Sequence, residues 1–220
     1  LVFYLPLSGS AFRKVYYDQT LNRAVSRFVP AEDLIVPYAT TDIYSATRIT
    51  HQIEMPMNDI RKLQKAGFYR DVEISTAAII SEDYSEVQDE IDELQGIEPS
   101  YGESDTCNVL EIHTELDLPG YEDMDAEGEA TGIKLPYVIT LSNDSSEILA
   151  IRRNYRATDP NKKKINYFVH YKFLPGLGFY GFGLTHMIGG LSKASTSILR
   201  QLNDAGTLSN LPAGFKARGI

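Results

Sequence analysis

The sequence is poor in several kinds of residue, and each scarcity excludes a class of protein. Its 220 residues include one cysteine, Cys107, no tryptophan and no run of 18 apolar residues. A lone cysteine excludes an internal disulfide framework and a zinc site built from cysteines. The lack of a long apolar run argues against a membrane-spanning helix. The remaining composition is that of an ordinary globular chain, and the length predicts one medium domain or two small ones.

Basic residues are also absent from one long stretch. Residues 71–133 contain twenty Asp or Glu residues and no Lys or Arg, whereas residues 148–220 contain eleven basic residues and two acidic ones. The net charge of -9 therefore describes neither part of the chain. We expect two oppositely charged surfaces. The acidic one is either a solvated face or a surface that binds a basic protein partner.

The first part of the chain is typical of short strands followed by a short helix. Residues 2–5 are strand-like. Further strands are predicted at residues 12–17, 24–29, 34–36 and 48–55, between glycines, prolines and asparagine. Asn58 is the predicted N-cap of a helix of about three turns, and Gly67 is its predicted end.

The acidic part predicts a helix from Asp83 to Leu94, where apolar residues recur at helical spacing. Four strands are then predicted at residues 110–118, 137–141, 148–151 and 167–173, joined by turn-rich links. In the first of these, Glu111 and His113 point away from the leucine and isoleucine side chains. The pattern predicts an α+β fold, with a mostly antiparallel four-stranded sheet against the acidic helix.

The last predicted element is a helix over residues 184–204, roughly 30 Å long at 1.5 Å per residue. Its apolar residues form one face. His186, Lys193 and Arg200 follow one another at intervals of seven residues, so they share the opposite face. After Gly206 the sequence predicts a loop.

A glycine-rich loop precedes this helix. Residues 176–181 (GLGFYG) match the dinucleotide-binding fingerprint. However, a Rossmann unit needs parallel strands joined by crossover helices, and the strands here are joined by short turns. We therefore interpret the glycines as a hinge between the last strand and the long helix, and keep a nucleotide-binding enzyme as the alternative. The hinge glycines are Gly176, Gly178, Gly181 and Gly183.

No arrangement of residues predicts catalysis or metal binding. The four histidines, His51, His113, His170 and His186, do not have the spacing of a zinc site. The abundant carboxylates are predicted on solvated elements, without the apolar surroundings that raise a carboxyl pKa. We expect a protein that is not an enzyme and that needs no cofactor or metal.

Two stretches of the sequence resemble the portal (head-to-tail connector) proteins of tailed bacteriophages, in particular podovirus-like portals. The first comprises residues 29–38 (VPAEDLIVPY), 46–51 (ATRITH) and 67–72 (GFYRDV). The second comprises residues 167–175 (YFVHYKFLP), the glycine-rich loop, 183–191 (GLTHMIGGL) and 208–215 (LSNLPAGF). Together these stretches cover about half of the chain.

The resemblance implies that the chain is an internal piece of a portal subunit. Residues 1–56 would be part of the wing, and residues 57–106 the helices that lead through the stem into the clip, with the acidic loop. Residues 107–175 would form the α/β clip, with its small antiparallel sheet. Residues 176–206 would form a stem helix, and residues 207–220 the start of the tunnel-loop region.

The resemblance also implies a structural role. Portal subunits form a ring, usually a dodecamer, at one vertex of the virion capsid, and are assembled in the bacterial cytoplasm. Double-stranded DNA is packaged and ejected through the ring without sequence specificity. The implied partners are further copies of the chain, the terminase large subunit, a head-tail adaptor protein and the major capsid or scaffold protein, with no membrane. The DNA-channel candidates are Lys193, Arg200, Lys216 and Arg218.

Overall fold

The structure, a computed structural model, describes residues 1–18, 22–74, 106–125, 127–143, 145–176 and 178–210. Within these residues the fold is mixed α+β, as predicted. The strands are β1 (Ser10–Asp18), β2 (Arg23–Val29), β3 (Leu34–Ile35), β4 (Arg48–Pro56), β5 (Thr106–Leu116), β6 (Leu135–Ser142), β7 (Ile148–Arg153) and β8 (Phe168–Lys172). The helices are α1 (Tyr4–Ser8), α2 (Met57–Lys65) and α3 (Leu184–Asn210).

The described strands form two sheets. One is five-stranded and antiparallel, in the order β3-β4-β5-β6-β7, and the other has the order β2-β1-β8. The predicted four-stranded sheet is therefore wrong in two respects, because it includes β8 and omits both β3 and β4. β4 pairs with β5 from Arg48 opposite Thr114 to Pro56 opposite Thr106. The alternation of apolar and polar residues along a strand identifies the two faces of that strand. It does not identify the adjacent strand in the sheet, since every half-buried strand has the same period of two.

The start of the chain differs from the prediction. The strand predicted at residues 2–5 is wrong, because helix α1 begins at Tyr4. The Leu5 N–H donates to the Leu1 carbonyl oxygen at 2.8 Å, and the Gly9 N–H donates to the Leu5 carbonyl oxygen at 2.9 Å. Gly9 has a φ of 85°, the left-handed conformation that commonly ends a helix. Four apolar residues are too few to distinguish a strand from a helical turn.

Two other helix boundaries also needed the structure. α2 begins at Met57 after the extended Pro56, so Asn58 lies in the first turn and its prediction as the N-cap is wrong. Gly67, with a φ of 74°, follows the end of α2 as predicted. α3 continues through Gly206, so the loop predicted there is wrong as well. A single glycine costs a helix only about 1 kcal/mol relative to alanine, which a long helix tolerates.

A hydrophobic core joins α2 to the five-stranded sheet. It is formed by Met57, Ile60, Cys107, Val109 and Leu149, none of them more than 6% exposed. Each fully buried aliphatic side chain stabilises the fold by about 1.5–3 kcal/mol. This core fixes the position of β5, the central strand, relative to α2.

The chain divides into two compact units. The helix unit consists of Leu1–Phe12 and His170–Ile220, and the sheet unit consists of Arg13–Val169. The boundaries of these two units differ from those of the five segments predicted from the sequence, 1–56, 57–106, 107–175, 176–206 and 207–220. The assignment of those segments to wing, clip and stem stays a prediction.

Candidate functional site

The helix unit presents α3 as an exposed rod. The helix has 27 residues, none of which is buried, and it is roughly 40 Å long at 1.5 Å per residue. Its predicted apolar face remains exposed, with Leu191 at 71% and Leu202 at 69% of full exposure. Lys193 and Arg200 are exposed too. An apolar face and the opposite basic face are thus both accessible in the described chain.

The basic face is a short stripe. Lys193 and Arg200 lie two helical turns apart, which separates them by roughly 10 Å along the axis. His186 stands two turns before Lys193, and its Nδ1 accepts a hydrogen bond from the Gly183 N–H at 3.2 Å. Asp204 follows Arg200 by four residues and places one carboxylate on the same side.

The remaining channel candidates, Lys216 and Arg218, lie outside the described residues. The predicted acidic helix from Asp83 to Leu94 lies outside them as well.

The segment that leads into α3 packs closely against the end of α1. The Gly181 N–H donates to Ser10 Oγ at 2.8 Å. A Cβ atom on Gly181 would lie 2.6 Å from the Gly9 carbonyl oxygen, and a Cβ on Gly183 would overlap the Leu7 carbonyl oxygen. These two glycines allow a backbone-to-backbone approach that no larger residue would permit.

The other two hinge candidates differ from each other. A Cβ on Gly176 would lie 2.9 Å from the Phe182 ring, whereas one on Gly178 would have no heavy atom within 4 Å. Three of the four hinge candidates, Gly176, Gly181 and Gly183, are thus packed so closely that a Cβ atom would overlap a neighbour. Hinge motion at these positions stays a prediction.

The glycine-rich loop is filled by its own side chain. Phe179 is buried, and its ring centroid lies 5.8 Å from that of Phe12 and 4.8 Å from that of His170. Leu174 and Phe182 form an antiparallel bridge across the base of the loop. The fingerprint instead uses glycines in this loop so that the backbone can approach a pyrophosphate closely.

The sheet unit contains a buried charge network that the sequence did not predict. Lys14 Nζ donates to both carboxylate oxygens of Glu111 at 2.7 Å, and His113 Nε2 lies 2.7 Å from Glu111 Oε1. The three side chains are only 12%, 20% and 5% exposed. Burial raises the pKa of Glu111, but its hydrogen bond to His113 and the charge of Lys14 outweigh burial and hold the pKa at about 2.

The sequence places Glu111 and His113 on one face of β5, and this is correct. The expectation that such carboxylates are solvated is wrong for Glu111, because this face also carries the buried Cys107 and Val109. Lys14 lies 97 residues away in the sequence and completes the network from β1. A charge pair so distant in sequence leaves no local pattern, so only the tertiary structure reveals it.

His51 lies directly opposite Glu111 in the pairing of β4 with β5. It is 9% exposed, and its Nδ1 has no hydrogen-bond partner among the described residues. Burial and the charge of Lys14 lower the pKa of His51 to about 4, with smaller effects of Glu111, His113 and Arg27. His51 is therefore neutral in the folded chain near pH 7.

The charge network lies along a cleft of about 560 Å³ in the sheet unit. Aromatic and basic side chains also line this cleft: Tyr16, Tyr17, Tyr69, Tyr167, Arg27 and Arg152. Its volume is typical of ligand sites. Glu111 is ionised and already accepts bonds from two partners, so it does not act as a general acid at neutral pH. Among the described residues, no three His, Cys, Asp or Glu side chains are placed to hold a metal ion.

The lysines at residues 162–164 do not form a free basic tip. Lys162 forms an ion pair with Asp123, and Lys164 Nζ donates to the Ala46 carbonyl oxygen at 2.9 Å. Lys163 is the exposed member of the three.

The chain was also compared with known proteins. It matches no protein-family model and no curated protein. Of the helices that the structure describes, none has the length and apolar character needed to cross a membrane.

Proposed function

We propose that this chain is part of a portal subunit and that α3 lines a ring through which double-stranded DNA passes. The observation that carries the proposal is that no residue of α3 is buried, although one side of the helix is apolar. Large exposed apolar surfaces commonly mark protein interaction sites. A helix of this kind is suited to pack beside copies of itself, as the family resemblance implies.

In such a ring, the basic stripe faces the channel, and the apolar face on the opposite side of α3 packs away from the channel against other parts of the ring. Every copy contributes Lys193 and Arg200, so the ring carries two circles of positive charge roughly 10 Å apart along the helix axis. Lys and Arg contacts with phosphates depend on salt and carry no sequence information. These circles hold DNA weakly while allowing it to slide.

The further parts of the proposal rest on the resemblance. The ring is located at one vertex of the virion and is usually dodecameric. It binds the terminase large subunit during packaging, a head-tail adaptor protein afterwards, and the major capsid or scaffold protein around it. The motor supplies the energy from ATP, so this chain acts as a conduit and not as an enzyme.

The first experiment is negative-stain imaging and native mass spectrometry of the full-length protein. We expect rings with a central channel. A full-length protein that remains monomeric and binds ATP or NAD would contradict the proposal and favour the nucleotide-binding alternative.

The second experiment reverses the charge of the basic stripe with Lys193→Glu and Arg200→Glu together. We expect rings to assemble normally but to lose DNA retention or packaging, because the phosphate contacts become repulsive. The matched control is Arg61→Glu with Lys163→Glu, which changes the net charge equally at exposed positions of the sheet unit. Normal packaging by the α3 variant would remove these two residues from the channel.

A further inference from the structure

Two neighbouring pockets of the sheet unit meet at Arg152. One is the cleft of about 560 Å³ that contains the charge network, and the other has a volume of about 390 Å³. Five residues line both pockets: Tyr16, Tyr17, Leu63, Tyr69 and Arg152. The shared lining joins the two pockets into one groove, and these five residues form its junction.

The guanidinium of Arg152 is held in place at this junction. Its Nη2 donates to the Phe68 carbonyl oxygen at 3.0 Å, and its Cζ lies 5.0 Å from the centroid of the Phe68 ring. The residue is exposed, and no described carboxylate forms an ion pair with it. An arginine has five N–H donors, so most of them remain for a ligand. A guanidinium fixed in this way is preorganised to bind a carboxylate or a phosphate through two parallel hydrogen bonds.

Among the described residues, Arg152 is the one charged side chain that lines both pockets. The acidic residues each line one pocket: Asp18 the smaller, and Glu54, Asp59 and Glu111 the larger. Asp59 and Glu111 also form ion pairs with lysines, at 2.8 Å and 2.7 Å. The junction itself therefore presents a positive charge, which favours an anionic group of a ligand.

The tyrosines supply flat apolar surfaces beside this charge. Tyr16 and Tyr69 are half-buried, whereas Tyr17 is 59% exposed and its hydroxyl group donates to Asn22. Aromatic rings pack favourably against one another in offset or edge-to-face arrangements. Leu63 adds an aliphatic side chain to the same junction. The uncharged part of a ligand is therefore best matched by an aromatic ring.

We propose that this junction binds a small aromatic molecule that carries a phosphate or a carboxylate group. The acid group accepts hydrogen bonds from Arg152, and the ring packs against the tyrosines. Apolar walls with a few placed polar groups are typical of small-molecule sites. The site goes beyond the proposed portal function and does not depend on it, because every residue that lines the groove belongs to the sheet unit.

The binding test titrates the chain with phenyl phosphate and with phenylacetate in a calorimeter. Inorganic phosphate, which lacks the ring, and benzyl alcohol, which lacks the charge, are the controls. We expect at least one aromatic acid to bind at least about tenfold more tightly than either control. Binding of phenyl phosphate alone would assign the site to phosphorylated ligands, and binding of phenylacetate alone to carboxylates. No binding of either acid, or equally tight binding of a control, would overturn the proposal.

Substitutions at the junction test whether the acid binds there. Arg152→Gln should weaken binding of the aromatic acid by at least about tenfold, because it removes the charged donor. Arg153→Gln is the matched control, since Arg153 is the next residue of β7 and lines neither pocket. Tyr16→Leu should weaken binding too; it leaves the contacts of Arg152 with Phe68 intact and decides the test if Arg152→Gln does not fold. Unchanged affinity in either junction variant, or an equal loss in Arg153→Gln, would overturn the proposal.

Discussion

The sheet unit and the helix unit differ in which side chains they bury: the sheet unit buries charged ones, and the helix unit leaves apolar ones exposed. In the sheet unit, Lys14 and Glu111 are mostly buried and satisfy each other. In the helix unit, Leu191 and Leu202 are mostly exposed on a helix with no buried residue. The sheet unit therefore completes its core within one chain, whereas the helix unit presents a surface suited to a partner. Four predictions test this contrast, given in order of decreasing change in stability.

The largest effect is expected for Glu111→Gln. The substitution leaves the Lys14 ammonium largely buried without its counter-charge, which costs about 3–5 kcal/mol. Chemical denaturation of the chain measures the change in the free energy of unfolding. Glu115→Gln, on an exposed position of the same strand, is the control and should change stability by less than about 0.5 kcal/mol. Equal effects of both variants would show that the network does not stabilise the sheet unit.

Acid should destabilise the sheet unit in two stages. The unfolded state binds a proton at His51 below pH 6.5 and the folded state only near pH 4, so stability falls as the pH drops between these values. The contribution of Glu111 is complete above its ordinary pKa of 4.5 and is lost as the pH falls towards 2. The His51 effect is at most about 3 kcal/mol.

Unfolding curves measured from pH 7 to pH 3 would test both stages. The variant His51→Leu should no longer lose stability between pH 6.5 and pH 4, but it should still lose stability below pH 4.5. A variant with the same decline between pH 6.5 and pH 4 as the original chain would show that His51 does not cause it.

A smaller effect is expected where the helix unit is tightly packed. Gly183→Ala places a methyl group on the Leu7 backbone, and overpacking of this kind costs about 1–3 kcal/mol. Gly178→Ala is the matched control, since a Cβ there meets open space. Thermal unfolding distinguishes the two variants. If both glycines acted only as a flexible hinge, the two substitutions would have similar effects on stability.

The smallest effect on stability is expected for Leu191→Lys on α3. The leucine is 71% exposed, so the isolated chain should change by less than about 0.5 kcal/mol. Ring assembly should nevertheless fail, because the new charge lies on the apolar face that packs within the proposed ring. The control is Leu149→Ala, at a fully buried position of the sheet unit, which should cost about 2–5 kcal/mol. Strong destabilisation of the isolated chain by Leu191→Lys would mean that α3 packs within its own subunit.

Local patterns in the sequence predicted a good part of this molecule. Most strands lie within two residues of their predicted positions, and α3 begins at the predicted Leu184. Periodicity is a property of neighbouring residues, so it can be recognised without the fold. The membership of β8 in the second sheet could not be recognised in this way, because strand pairing depends on residues far apart in sequence.

The periodic elements and the separation of acidic from basic segments follow from the sequence alone. It also placed Lys193 and Arg200 on one face of α3, since their spacing is a property of any continuous helix. In contrast, the close pairing of Glu111 with Lys14 and the absence of buried residues in α3 are visible only in the folded chain. Burial depends on what the rest of the chain brings alongside a residue, and no local pattern contains that information.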